Sequence, residues 1–179
     1  MKYFKEIASG LDPLPALREL EASPDLWGLI DVRQKFEGTA HAHTETIVLR
    51  GPDRLDGVMD NLDALDFEAL TELPAVAGYL KGIVRTLGAR EIGRVMAVKL
   101  LAGQDVAEHV DEGAYARFHA PLASTPACVF NCGDELVHMA PGSLLWFDHQ
   151  AKHSVVNRGP DRIHLILDVT APGWTGALH

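Results

Sequence analysis

A chain of 179 residues with 47% apolar and 23% charged residues has the makeup of one ordinary globular domain. Roughly 70% of the surface that an unfolded chain of this size exposes is buried on folding, which excludes dependence on disulfides or a structural metal. A formal charge of −9 excludes nucleic acid as the main partner, since phosphate binding needs a basic face.

In chain order, Met1-Lys2-Tyr3-Phe4-Lys5-Glu6 lacks the apolar core of a signal peptide, and no later window has the apolar length of a membrane span. The expectation is a cytoplasmic protein without a membrane partner. Leu14, Leu17 and Leu20 recur near the helical interval after Pro13 and Pro15, so residues 1–30 are read as partly helical, with Ser23-Pro24-Asp25 ending the helix. Thr46 to Arg50 is a strand by its branched residues, stopped by Gly51-Pro52-Asp53. Arg54 to Glu72 is acidic with little period and reads as mostly loop. Val76, Leu80, Ile83, Val84 and Leu87 predict a helix opened by Pro74 and closed by Gly88.

From Glu91 the pattern changes to short strands parted by turn residues: Arg94–Leu101, Ala116–Ser124, Ala127–Asn131, Leu136–Met139, Ser143–Asp148, His153–Asn157 and Arg162–Val169. Strands at this spacing with Gly and Pro turns indicate an all-β sandwich or barrel. The chain is therefore taken as a single domain, 1–179, with a helical and strand part over about 1–90 and a β core over about 91–170. The last ten residues read as a loose tail. Cys128 and Cys132, neighbours on one strand, are poorly placed for a disulfide and read as small buried hydrophobes.

The chemistry-bearing residues fall in the β part. Residues i and i+2 of an extended strand share a face, so His109 and Asp111 can converge, and His153 on a facing strand can complete a three-cornered set. Two imidazoles and one carboxylate on one side of an ion form the facial arrangement of non-haem Fe(II) oxygenases. Alone, His109-Val110-Asp111 is equally a polar turn leading into Glu112-Gly113. On the last strand, Arg162 alternates with Ile163, Leu165, Leu167 and Val169 and shares a face with His164, Ile166 and Asp168. An arginine pointing into a barrel needs an anionic partner, because burying it alone is costly. Arg117 and His119 share a face on the strand after the His-x-Asp loop. His43, Arg50, His138, Trp146, Asp148 and His164 are further polar or aromatic residues that can reach a cavity. Of the pair His41 and His43, the second is expected to point inward. Either Trp146 or Phe147 faces inward by alternation.

Much of this text resembles the aspartyl/asparaginyl β-hydroxylase family of 2-oxoglutarate-dependent oxygenases. The matching runs are Leu100-Leu101-Ala102-Gly103, His109-x-Asp111, Arg117-Phe118-His119-Ala120-Pro121-Leu122, Pro141 to Asp148, His153 to Asn157 and Asp161 to Val169, with His43 to Arg50 upstream. Ala102 stands where the family often has proline. The resemblance implies a mainly β fold with flanking α-helices, a cupin-like double-stranded β-helix or jelly roll. It implies Fe(II) held by His109, Asp111 and His153, with 2-oxoglutarate as co-substrate and O2 as oxidant. Arg162 would anchor the far carboxylate of 2-oxoglutarate. Arg117 and His119 would bind the carboxylate near the metal, the alternative being a pair that orients Asp111. Succinate and CO2 would be the co-products, and the substrate a small molecule such as an amino acid, or a peptide. Other metal-dependent cupins, isomerases or dioxygenases without 2-oxoglutarate, and a non-catalytic binding module remain as alternatives. Arg162 is the residue that separates them.

Overall fold

The computed structural model describes residues 1–35, 37–52, 64–113 and 115–169. Its strands are β1 (Phe4–Ala8), β2 (Thr44–Gly51), β3 (Leu65–Asp66), β4 (Ile92–Leu100), β5 (Asp105–His109), β6 (Ala116–Ala123), β7 (Cys128–Cys132), β8 (Glu135–Val137), β9 (Leu144–Phe147), β10 (His153–Asn157) and β11 (Arg162–Val169). Its helices are α1 (Leu14–Glu21), α2 (Val32–Lys35), α3 (Glu68–Glu72) and α4 (Pro74–Leu87). The strands form a seven-stranded sheet in the order β1-β9-β6-β11-β4-β2-β3 and a four-stranded sheet in the order β5-β10-β7-β8. Every pairing is antiparallel. From β4 to β7 the chain alternates between the sheets, and from β9 to β11 it does so again, which is the jelly-roll path.

Alternation along the large sheet builds two cores. Val95, Ala97, Phe118, Ala120, Leu122, Leu165 and Leu167 point outward and pack with Leu20 of α1 and Val76, Leu80 and Ile83 of α4. The opposite face carries Leu100, Leu145 and Phe147, which meet Val106, Phe130 and Val155 of the small sheet. The polar residues Arg117, His119, Arg162, His164 and Asp168, all buried, lie on that inward face. The helices thus cover the outer face and leave the space between the sheets for polar chemistry.

Local signals explain the helices. Pro74 opens α4, and Gly88 closes it in the left-handed conformation at φ 60°, which glycine adopts without strain. The backbone N–H groups of Ala75 and Val76 donate to the Glu19 carboxylate of α1 at 3.0 and 2.8 Å. A carboxylate at a helix N-terminus satisfies orphan donors and opposes the dipole, so α1 locks α4 against the sheet.

Two local expectations are refined. Phe4–Ala8, within a stretch read only as partly helical, is a strand, because Phe4 buries against Phe130 and Phe147 while the backbone pairs with β9. Arg54 to Glu72 is not all loop: β3 pairs with Arg50 and Gly51, and α3 follows it. Both elements are too short for period to reveal, and tertiary pairing creates them. The remainder of that stretch and the tail after Val169 lie outside the described residues.

Candidate metal and co-substrate site

β5 and β10 are neighbours in the small sheet, and His109 is the register partner of His153. Their rings lie 4.2 Å apart between centroids. His109 ends its strand and Asp111 sits just beyond it, in irregular backbone where strand alternation no longer aligns the pair. The Asp111 N–H is held there by donating to the His149 carbonyl at 2.9 Å. Asp111 still converges on both rings: its Oδ1 is 3.9 Å from His109 Nε2 and its Oδ2 is 3.5 Å from His153 Nε2.

Hydrogen bonds set which imidazole nitrogens face this point. His109 Nδ1 lies 2.8 Å from the Ala107 carbonyl and His153 Nδ1 lies 2.9 Å from the Ala151 carbonyl. A carbonyl only accepts, so each Nδ1 carries the proton and each Nε2 presents a lone pair. This carbonyl-oriented tautomer is the usual support of a metal-ligating histidine. Asp111 is ionised. Burial opposes its charge, but the Arg117 guanidinium that donates to it outweighs this and holds its pKa well below the carboxylate range.

His41, His109 and Asp111 also each bring one donor atom within 4.8 Å of the others, so His41 competes geometrically with His153. One hydrogen bond counts against it. Arg33 Nη2 lies 2.8 Å from His41 Nε2, and a guanidinium only donates, so that lone pair is already used. The histidine expected to face inward from this segment was His43, yet it is exposed and His41 faces the cavity. Strand alternation does not extend back that far, because a turn closed by Thr44 N–H on the His41 carbonyl precedes β2.

Arg117 is buried within a charge chain. Its Nε donates to Asp168 Oδ1 at 2.8 Å, its Nη2 to Asp168 Oδ2 at 3.0 Å and to the Tyr115 hydroxyl at 3.1 Å, and its Nη1 to Asp111 Oδ2. Arg94 reaches Asp168 Oδ2 from the other side at 3.2 Å. Burial works against the Arg117 charge, but Asp168 and Asp111 more than offset it and raise its pKa. The geometry therefore gives Arg117 the orienting role toward Asp111. His119 lies beside it, its Nδ1 3.1 Å from His164 Nδ1 and its ring edge-on to Phe130 and Phe147.

Arg162 faces the same cavity and is 3% exposed, with Nε making no hydrogen bond and no carboxylate within ion-pair distance among the described residues. Burial pushes its pKa down to about 10. The cavity itself is about 40 Å³, room for little more than a water or two. Anything larger requires lining side chains to move, and the long Arg33 and Arg162 side chains, held by no carboxylate, are suited to do so. A larger groove of about 1050 Å³ runs along α4, is lined by no histidine, and lies on the far side of the sheet.

Other expectations sort by face. Phe147 lines the cavity, while Trp146 packs on the helical core. Arg50 pairs with Asp66 at 2.6 Å, on the helix side. Asp148 is tied by its backbone to Tyr3 and does not line the cavity, nor does His138. His164 stands behind His119 with Nε2 unpaired. Cys128 and Cys132 are free and buried. Sequence reasoning missed Arg33, because α2 has four residues and no readable period. It also missed the role of Asp168, although alternation had placed that residue on the Arg162 face.

The buried histidines make a pH prediction. Burial, then Arg162, holds the pKa of both His119 and His164 well below 6.5. The folded state keeps them neutral while the unfolded chain takes up protons below about 6.5, so stability rises with pH in that range and is lost as pH falls. Metal-free protein should show a level melting temperature from pH 8 to 7. Below about 6.5, stability should drop by roughly 1.4 kcal/mol per pH unit for each of the two groups. A melting temperature unchanged down to pH 5 would contradict their neutrality.

In solved structures, the fold matches a prolyl hydroxylase from Trichoplax adhaerens, in complex with a peptide fragment of the hypoxia inducible factor oxygen degradation domain. That match has a TM-score of 0.62 and 12% identity over 98% of this chain and 87% of that one. It also matches a viral collagen prolyl hydroxylase from Paramecium bursaria chlorella virus 1, with a TM-score of 0.56 and 9% identity over 95% and 96%. A 2OG-Fe(II) oxygenase family oxidoreductase from Burkholderia pseudomallei aligns at 0.52 and 15% over 71% and 67%. At these identities the likeness establishes the jelly-roll fold. A search of curated protein sequences found no match. The family model for aspartyl/asparaginyl beta-hydroxylase matches residues 58–172, well over half of the chain. This protein belongs to the aspartyl/asparaginyl β-hydroxylase family.

Proposed function

We propose that this protein is an Fe(II)- and 2-oxoglutarate-dependent dioxygenase that hydroxylates an unactivated C–H of a small molecule or peptide. The observation that carries the reading is Arg162. It is buried, faces the cavity that holds His109, Asp111 and His153, and has no carboxylate partner among the described residues. A buried guanidinium without a counter-ion is costly, and a planar fork aimed into a cavity suits a ligand carboxylate. Among ligands of metal-dependent cupins, a keto dicarboxylate supplies one carboxylate for this arginine and leaves its keto-acid end for a metal.

The donor set fits ferrous iron. Imidazole and carboxylate suit it, and the two cysteines that would favour a softer ion are not among the cavity-lining residues. His109 Nε2, His153 Nε2 and the Asp111 carboxylate would hold it. Bound with 2-oxoglutarate and O2, the iron supplies the oxidising chemistry, with succinate and CO2 as co-products. The chain's own residues position and shield. The Ala107 and Ala151 carbonyls hold both imidazoles in the ligating tautomer. Arg117 fixes the rotation of Asp111, and with His119 lines the cavity where the metal-end carboxylate of the co-substrate would lie. Phe130, Phe147 and Val155 exclude bulk water from that space.

The test is an anaerobic titration of Fe(II)-loaded protein with 2-oxoglutarate, followed by the visible charge-transfer absorbance of the chelate. Aerobic assay for succinate over a panel of amino acids and peptides then follows. Absorbance and substrate-dependent succinate are expected. Iron binding without 2-oxoglutarate binding would instead support another metal-dependent cupin or a non-catalytic binding module.

A further inference from the structure

Arg33 is a second cation at the cavity without an anionic partner among the described residues. It belongs to α2 and lines the cavity, whereas Arg162 lines it from the last strand. Among the described residues its side chain hydrogen-bonds His41 Nε2 at 2.8 Å and the Met96 thioether at 3.7 Å. A guanidinium carries five N–H donors. One is spent on a neutral imidazole and another on a weak sulfur acceptor, which leaves most of the fork unmatched beside the cavity. Burial, then the like charges of Arg94 and Arg117, push the Arg33 pKa down to about 9, so the group stays cationic at neutral pH in surroundings that oppose its charge.

His41 completes the feature. Its Nε2 accepts from Arg33, so its proton sits on Nδ1 and offers one further donor. Accepting at one ring nitrogen and protonated at the other, it adds a neutral donor and no second charge. Its ring stands edge-on to His109 at 4.9 Å between centroids. A group bound by Arg33 and His41 would therefore sit next to the proposed metal ligands.

Charge balance points to what that group is. Arg94 and Arg117 face Asp168 and Asp111. Among the described cavity residues, this leaves Arg33 and Arg162 as two unmatched positive charges. A ferrous ion adds two more, and the 2-oxoglutarate dianion removes two, one of its carboxylates meeting Arg162. Two positive charges are left around the remaining space, one of them on Arg33. A substrate carboxylate gives the half-buried Arg33 a local partner, even where an ammonium on the same molecule keeps the summed charge unchanged, whereas a neutral mid-chain peptide segment leaves Arg33 without one.

We propose that Arg33 and His41 form a substrate carboxylate subsite, so that the substrate is a free carboxylic acid such as an unblocked amino acid. This rests on the 2-oxoglutarate reading for the location of the reaction, but the subsite can fail on its own.

The experiment uses the full chain loaded anaerobically with Fe(II) and 2-oxoglutarate. The twenty free L-amino acids are titrated alongside their carboxamides and end-blocked peptides, read by the change in chelate absorbance and, in air, by succinate. Free acids are expected to bind and their amides to bind at least about 30-fold more weakly, the loss that follows removal of one partner of a buried charge pair. Arg33→Gln should weaken the best acid by a similar factor and Arg33→Lys by less, with Fe(II) and 2-oxoglutarate affinities unchanged. His41→Ala should weaken the acid and spare Fe(II), whereas a metal-ligating His41 would lose Fe(II). Equal binding of acids and amides would overturn the subsite, as would an Arg33→Gln protein with unaltered affinity for the best acid. Binding of no acid at all to a protein that holds Fe(II) and 2-oxoglutarate would overturn it too. Failure of 2-oxoglutarate to bind the unaltered protein is a different result, and it strikes the parent reading. Circular dichroism of each variant separates loss of binding from loss of fold.

Discussion

Replacing Arg162 with methionine is expected to weaken 2-oxoglutarate binding by about 30-fold or more while leaving the folded protein as stable as before, or more so. The first effect follows from removing the guanidinium that would pair with the far carboxylate, an interaction whose loss in a buried setting costs roughly 2–5 kcal/mol. The second runs against the common outcome of a core substitution. Arg162 is 3% exposed, its Nε has no partner, and no carboxylate of the described residues neutralises it. The ligand-free fold therefore carries an uncompensated buried charge. An apolar side chain of similar length removes that cost, and exchanging buried charge for apolar packing is commonly neutral or stabilising by about 1–4 kcal/mol. Fe(II) affinity should be retained, since Arg162 is not among the residues that converge on His109, Asp111 and His153. Calorimetry with 2-oxoglutarate and thermal melting of ligand-free protein check both halves. A variant that melts well below the parent would mean that Arg162 is a structural residue.

Asp168 is expected to behave in the opposite way. It receives Arg117 through both oxygens and Arg94 through one, and it is 1% exposed. Asp168→Ala removes the carboxylate at the centre of that chain and leaves two buried guanidiniums to be balanced without it. Breaking a buried pair from one side costs roughly 3–5 kcal/mol, and at about 2–4 °C per kcal/mol for a chain of this size the melting temperature should fall by some 6–20 °C. Arg117 also holds Asp111, so release of its other end should loosen the proposed metal carboxylate and weaken Fe(II) about 10- to 100-fold, as loss of an outer support commonly does. Asp168→Asn keeps the shape and part of the hydrogen bonding and should fall between the parent and the alanine variant. A stable Asp168→Ala protein with unaltered Fe(II) affinity would show that Asp111 is held without this chain of charges.

Together the two variants separate charges that the fold balances internally from a charge left facing the cavity. Arg94 and Arg117 meet aspartates of the protein. Arg33 and Arg162 meet none among the described residues, and they line the cavity from different strands and helices. The contrast lies in partner supply and owes nothing to residue type.

The sequence by itself determined whatever depends on local period and on residue chemistry. Two-residue alternation in β11 separated Arg162, His164 and Asp168 from Leu165, Leu167 and Val169, and the apolar set does pack under the helices. Helical spacing with Pro74 and Gly88 gave α4 its observed bounds. The choice of histidine and aspartate at 109, 111 and 153 named the residues that the fold brings together, because few other residue types can serve a borderline metal. Only the tertiary structure decided the rest. Whether His41 or His43 turns inward depends on a turn that ends before the strand begins. Whether Arg117 holds a ligand or Asp111 depends on Asp168, 51 positions away in sequence, standing opposite it on the neighbouring strand. Arg33 becomes part of the cavity only because a four-residue helix leans over Met96. Sequence period reports which way a side chain points within its own element. Which charge finds a partner is settled by residues distant along the chain, so the paired and unpaired arginines look alike until the sheets are closed.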